Sequence, residues 1–292
     1  MKRFSKGFWL LFFLVMICVS CGSTTEPAEN GMKRQLSPGI PCSEIIGEQG
    51  SISASTHDGD LVSGWEFVLK HPIGFATHGC QIVSSEQGHP TRNGRYSIKF
   101  EVRDGDCNRN DGWDDCSTDR SRHEITQGGF GGRQHQYEGD EYWYSWSMSM
   151  PAIPLKTGDA ITFLGQFHSD NAARFYIEDF TKGLGYRFND ADYGIIEQGV
   201  LIQNSVSRSR WIDVVIHARW SATEQGFIHV FIDGQSKRYL SGPNMDGATR
   251  VYFDFGIYNA FVSECNCDTM PTQIVYFDDV RRGSTRGEVE RE

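Results

Sequence analysis

Apolar and polar residues alternate along most of the chain beyond residue 60. From Arg95 to Arg103, the even positions Tyr96, Ile98, Phe100 and Val102 are apolar, while Arg95, Lys99, Glu101 and Arg103 are charged. Successive side chains of a strand point to opposite faces, so this period of two predicts a strand with one buried face. From Glu141 onward, Tyr142, Tyr144, Trp146, Met148 and Met150 share one face. Trp143, Ser145, Ser147 and Ser149 share the other, and Pro151 ends the run. The aromatic stripe reads as core; Trp143, facing away from it, reads as the stacking platform for a sugar. The same pattern predicts strands over 161–168, 174–178, 211–220, 227–233, 251–258 and 273–280. Asp233-Gly234 is a two-residue hairpin signal. No amphipathic helix of three turns and no internal repeat is readable. Many short strands with polar turns predict an all-β sandwich of two antiparallel sheets, with a concave outer sheet suited to a long polymer.

The first residues break this pattern. Lys2, Arg3 and Lys6 precede an apolar run from Phe8 to Val19, too short to span a bilayer, which ends in Val19-Ser20-Cys21-Gly22. This predicts a bacterial lipoprotein signal over residues 1–21, with Cys21 lipidated; an ordinary cleaved signal is the alternative. Residues 22–42 are polar with Pro and Gly and read as a tether, leaving 43–292 as the domain. The protein is thus expected to be exported and membrane-anchored, at the periplasm, the outer membrane or the cell surface, and to be monomeric. The signal carries three cations and no acid, so the formal charge of −10 becomes −13 without it. An acidic chain lacks the basic footprint of nucleic-acid binding, so no nucleic-acid partner is expected.

Beyond Cys18 and Cys21 there are six cysteines: Cys42, Cys80, Cys107, Cys116, Cys265 and Cys267. An even number in an exported chain favours disulfides. Of the fifteen pairings open to six cysteines, Cys107–Cys116 is the one favoured, as a clip on one acidic loop. In that loop Asp104, Asp106 and Asn108 alternate as calcium ligands do, without the terminal glutamate of an EF-hand, so a structural Ca2+ is one reading and a solvated loop the other. No cysteine spacing resembles a zinc site, and no other metal is expected.

P-loop, dinucleotide-binding, nucleophile-elbow and His-Glu-x-x-His motifs are absent, as is the clustered Glu-x-Asp-x-x-Glu strand of sandwich glycoside hydrolases. What remains is Arg120-Ser121-Arg122-His123-Glu124, then Gln166-Phe167-His168, then the strand from Val251 to Asn259. These supply what β-elimination of a uronate needs. Arg122 and Gln166 offer donors for the carboxylate, His168 a base that is neutral near pH 7, and Tyr258 an acid for the leaving oxygen. No metal or redox cofactor is required by that chemistry. Each residue also has a plain structural role open to it: an ion pair for Arg122 with Glu124, a packed aromatic for Tyr258.

Taken in order, these clusters resemble the jelly-roll polysaccharide lyases, especially the heparin lyase I and glucuronan lyase group. The resemblance runs from about Gly94 to Gly283. It includes Gly139-Asp140-Glu141-Tyr142-Trp143-Tyr144 followed by Met150-Pro151, the Gln-x-His pair, and Tyr252-Phe253-Asp254-Phe255-Gly256-Ile257-Tyr258. It implies a concanavalin-like jelly roll with a concave groove and cleavage of an anionic, uronate-containing polysaccharide. It also implies His168 as base, Gln166 and Arg122 as carboxylate neutralisers and Tyr258 as acid; beside these, Arg120 and Trp143 are expected to contact the substrate. One departure is Asp254, which stands where the family often has lysine; the lost charge favours an unsulfated polymer. The competing expectations are a non-catalytic carbohydrate-binding lipoprotein and a glycoside hydrolase of the same fold.

Overall fold

In the computed structural model, which describes residues 39–42, 61–64, 67–128 and 134–290, the alternating segments pair into two large antiparallel sheets. The predicted signal, Cys21 and most of the tether lie outside the described residues. One sheet has nine strands. Its path runs β1 (Ile40–Pro41), β4 (Cys80–Ser84), β5 (Tyr96–Val102), β18 (Gln273–Gly283), β9 (Glu141–Ser149), β14 (Trp211–Arg219), β15 (Phe227–Ile232) and β16 (Gln235–Ser241), with β2 (Val62–Ser63) parallel to β18. The other has seven, in the order β13 (Ile195–Gln203), β12 (Gly183–Asn189), β11 (Ala173–Phe180), β10 (Ile161–Ser169), β17 (Val251–Ala260), β8 (Arg120–Gln127) and β3 (Phe67–Leu69). A small hairpin, β6 (Arg109–Asn110) with β7 (Trp113–Asp114), stands in the acidic loop. The α-helix is short, with four-residue turns at Asn204–Ser207 and Arg286–Val289.

The two sheets meet through an aromatic core. Tyr144, Trp146 and Met148 of β9 are buried, and Trp146 lies 4.9 Å from Phe253 of the facing sheet. Phe167 packs against Phe253 at 4.9 Å and Tyr144 at 4.9 Å; Phe255 packs against Phe100 at 5.6 Å and Phe277 at 5.2 Å. Edge-to-face and offset contacts of this kind add to the burial of ring area. Trp220 donates its indole N–H to Tyr144 Oη at 2.8 Å, so the stripe's one buried hydroxyl is satisfied.

Three disulfides join Cys42–Cys80, Cys107–Cys116 and Cys265–Cys267. The first attaches residues 40–42, within the stretch read as tether, to β4, and Ile40 pairs with Ile82. The loop clip at Cys107–Cys116 forms as predicted. Asp233 and Gly234, with φ of 49° and 74°, make the hairpin between β15 and β16. Positive φ at both turn positions matches the twist of the strands, which is why Asp-Gly sits there.

Candidate active site

The polar residues singled out in the sequence gather on three adjacent strands of the seven-stranded sheet, on the face turned away from the core. β17 lies between β10 and β8. Gln166 stands opposite Asp254 and His168 opposite Tyr252, while Arg122 stands opposite Tyr258 and Thr126 opposite Asp254. The alternate residues Phe167, Phe253, Phe255, Ile257 and Ile125 fill the core. Strand parity does not hold throughout β10. A register shift between Phe163 and Gly165 brings the odd-numbered Phe163 onto the polar face, 5.6 Å from the Tyr258 ring. Gly256, with φ of 140°, lies where a Cβ would come within 2.3 Å of the His123 carbonyl oxygen, so β17 passes β8 here only as glycine.

The centre of this face is buried: Arg122 is 4% exposed, and Glu124 and Asp254 are fully buried. Each charge there has a partner. Arg122 donates from Nε and Nη2 to the Asp115 carboxylate at 2.7–3.0 Å and from Nη1 to Glu124 at 3.2 Å. Gln166 Nε2 donates to both Glu124 oxygens at 2.9 and 3.1 Å. Lys70, just past β3, forms an ion pair with Asp254 Oδ2, whose other oxygen has no hydrogen-bond partner. Arg122 also lies under the Tyr258 ring, its Cζ 3.9 Å from the centroid. Arg120 Nε donates to Tyr258 Oη at 3.0 Å. At the other end, His168 Nδ1 contacts the Ser169 carbonyl and lies 3.1 Å from Tyr252 Oη. A carbonyl only accepts, so Nδ1 carries the proton and Nε2 keeps its lone pair.

Residues 57–281 match a family model described as "Polysaccharide lyase". The chain belongs to that family. Its fold is similar to that of endo-beta-1,4-glucuronan lyase from the fungus Trichoderma reesei, at 16% identity and a TM-score of 0.60, over 79% of this chain and 96% of that one. Alginate lyases from Pseudomonas aeruginosa (15% identity, TM-score 0.49, 74% of this chain and 97% of that one) and Corynebacterium sp. (12%, 0.49, 82% and 99%) are similar at lower scores. No curated protein sequence matches. The lyase is therefore an enzyme of jelly-roll fold, and the pure-binder and hydrolase expectations fall away.

The lyase holds its titratable groups in unusual states. Burial, helped by the Lys70 charge, pushes the His168 imidazole down to about 4, so it is neutral at physiological pH. Burial pushes Glu124 up to about 7, against the pull of Arg122 and Lys70. Burial works against the charge on Lys70, but Asp254, Tyr252 and Glu124 together outweigh it and raise the ammonium above its ordinary value. Burial also raises Tyr252.

Gln166 and His168 share one face, as their spacing of two predicts, and the strand register brings Arg122, Arg120 and Tyr258 onto the same face. Trp143 does not join them. It lies on β9 of the other sheet, stacked on His217 at 4.0 Å and near Phe231 at 5.9 Å. Its exclusion from the aromatic stripe signalled an outward face, but the outward face of the wrong sheet. Tyr258 is not beside His168: it stands opposite Phe163, five positions along β10. The tyrosine beside the imidazole is Tyr252. Three further residues went unread in the sequence. Asp115 and Lys70 come from segments with no pattern linking them to β8 or β17, and nothing in the β17 sequence singles Tyr252 out from its strand. Lys70 also corrects the reading of Asp254: this face has a cation at that point, delivered by the residue that follows β3.

The acidic loop supports this face. Asp115 grips Arg122, and Asn108 donates to the Arg122 carbonyl at 2.7 Å. Asp104 accepts from the Met270 N–H at 2.9 Å, and Asp106 from the Arg103 N–H at 2.7 Å. Asp106 also lies 2.8 Å from His78 Nε2, so the three alternating loop residues engage four separate partners. A cavity of about 500 Å3 opens elsewhere, on the nine-stranded sheet among Arg92, Ser147, Asp213 and Asp279, and shares no residue with this face.

Proposed function

We propose that the lyase cleaves a uronic-acid-containing polysaccharide by β-elimination, with His168 as base and Tyr258 as acid. The observation that carries this is the imidazole: neutral, tautomer set by the Ser169 carbonyl, and hydrogen-bond-ready at Nε2 beside a buried, charge-balanced floor. In the reaction, Nε2 takes the proton α to the uronate carboxylate. The electron pair forms the new C4–C5 double bond as the C4–O bond breaks, and Tyr258 gives its proton to the leaving oxygen. Arg120, donating to Tyr258 Oη, stabilises the phenolate that remains. Tyr252, whose hydroxyl lies by Nδ1, orients the imidazole.

A carboxylate entering this floor meets Lys70 balanced by Asp254 and Arg122 balanced by Asp115. Its own charge raises Glu124 further, so Glu124 is protonated in the complex and donates rather than repels. Gln166 supplies a second donor, and Asp254 Oδ1 an acceptor for a sugar hydroxyl. The balance of Lys70 by Asp254 leaves no surplus cation at that point for a sulfate, which supports an unsulfated polymer such as a glucuronan.

The test is incubation of the purified protein with glucuronan, alginate and heparin, following ultraviolet absorbance of the unsaturated product. Absorbance growth with glucuronan and loss of at least about 100-fold in kcat for His168→Ala are expected. No unsaturated product from any uronan removes the proposal. We also propose export and anchoring through Cys21, supported by the N-terminal pattern; lipid labelling lost in Cys21→Ser is the expected result, and labelling that persists in the variant overturns it.

A further inference from the structure

On the reverse side of β8 from Arg122 and Glu124, the geometry points to a binding site for a divalent transition-metal ion of the zinc class, made by His78, Asp106 and His123. Their ligand atoms all lie within 4.8 Å of one another. His78 Nε2 is 2.8 Å from Asp106 Oδ2, and His123 Nε2 is 3.8 Å from the same oxygen. Ligands of a tetrahedral zinc at about 2.0–2.1 Å stand about 3.3–3.5 Å apart. The two separations to Asp106 lie within about 0.7 Å of these values, so modest side-chain shifts convert the cluster into three ligands of one ion.

His123 supplies the independent reason. Its ring is fully buried, and neither ring nitrogen has a hydrogen-bond partner. A buried imidazole without partners is costly, and its Nε2 faces the acid of the same cluster, 3.8 Å from Asp106 Oδ2. The surroundings hold the ring for this purpose. Phe75 stacks on it at 4.6 Å, and a Cβ at Gly79 would lie 2.3 Å from it. Each ligand comes from a braced segment. His78 is two residues before Cys80 of one disulfide, Asp106 adjoins Cys107 of another, and His123 lies within β8. Such bracing reduces the ordering cost of ligation. His78 and Asp106 side chains are 21% and 14% exposed, so the cluster reaches solvent on one side, where water completes the shell. Two imidazoles with one carboxylate suit zinc rather than calcium, which takes oxygen ligands.

The experiment uses the full chain, stripped with chelator and titrated with Zn2+, Co2+ and Ca2+. One Zn2+ per chain, a raised melting temperature and a visible Co2+ absorption band are expected, with Ca2+ producing no band and no displacement of Co2+. Two variants at the solvent side, His78→Ala and Asp106→Asn, should each weaken Zn2+ binding by more than about tenfold while keeping the β-sheet circular dichroism of the parent. Cys18 and Cys21 are present throughout, so the variants isolate the histidine cluster. Zinc-edge X-ray absorption should show two imidazole nitrogens. Zn2+ binding absent from the parent, binding unchanged in either variant, or an all-oxygen shell overturns the site.

Discussion

At the scale of single residues, the lyase balances buried charge in pairs, and two kinds of variant expose this. Lys70→Met leaves Asp254 buried without its cation. Breaking a buried pair this way destabilises by about 3–5 kcal/mol, whereas the double change with Asp254→Leu should recover most of it. Urea midpoints of the single and double variants check both. The two tyrosines differ in role, so Tyr258→Phe should lower kcat by about 100-fold or more and Tyr252→Phe by about tenfold. The reverse ranking would move the acid to Tyr252. The pH profile follows from His168 and Glu124. The base works only when neutral, above about 4, and the floor accepts a carboxylate best with Glu124 protonated, below about 7. A bell in kcat/KM between those values is expected, and Glu124→Gln should remove its alkaline limb.

At the scale of elements, parity along a strand was legible and interruptions of parity were not. β9 and β5 place Tyr144, Trp146, Met148, Ile98, Phe100 and Val102 in the core as their period of two assigned, but Ser97, Lys99, Glu101, Ser145 and Ser147 on the opposite faces are buried as well. β12, with two glycines, and β13, an edge strand with mostly exposed side chains, carry no such contrast and passed unread. The irregularities in β10 and at Gly256 decide where Phe163 and Tyr258 stand. Gly256→Ala forces a Cβ toward the His123 carbonyl in a backbone conformation that favours glycine. It should lower the melting temperature and, by moving Tyr258 against Arg122, reduce kcat more than KM changes. A variant with parental kcat and stability would show that β17 tolerates the shift.

At the scale of the whole molecule, two sheets and an aromatic core carry a set of buried histidines whose neutrality costs stability in acid. His168 and His123 are both held down to about 4, against an ordinary value of 6.5. The unfolded chain therefore binds protons that the folded chain refuses. The stability these groups contribute is present above pH 6.5 and is lost as pH falls through 4. Glu124, raised to about 7, has the opposite sign: its contribution is present below its ordinary 4.5 and is lost as pH rises through 7. The histidines outnumber it, so urea midpoints measured with chelator should fall between pH 6.5 and 4. A midpoint that rises over this range would contradict the buried neutral imidazoles.

The sequence by itself determined the sandwich, the Cys107–Cys116 clip and the strand face shared by Gln166 and His168. These depend on local period, short loops and residue type, which the chain displays along its length. Tertiary structure decided the rest. Lys70 meets Asp254 across 184 positions, Asp115 reaches Arg122 from a disulfide-closed loop, and Trp143 is carried to the other sheet. His78, Asp106 and His123 converge from three segments. Strand order sets such meetings, and it follows from which faces can be buried together, a property of the folded pair of sheets that no single strand encodes.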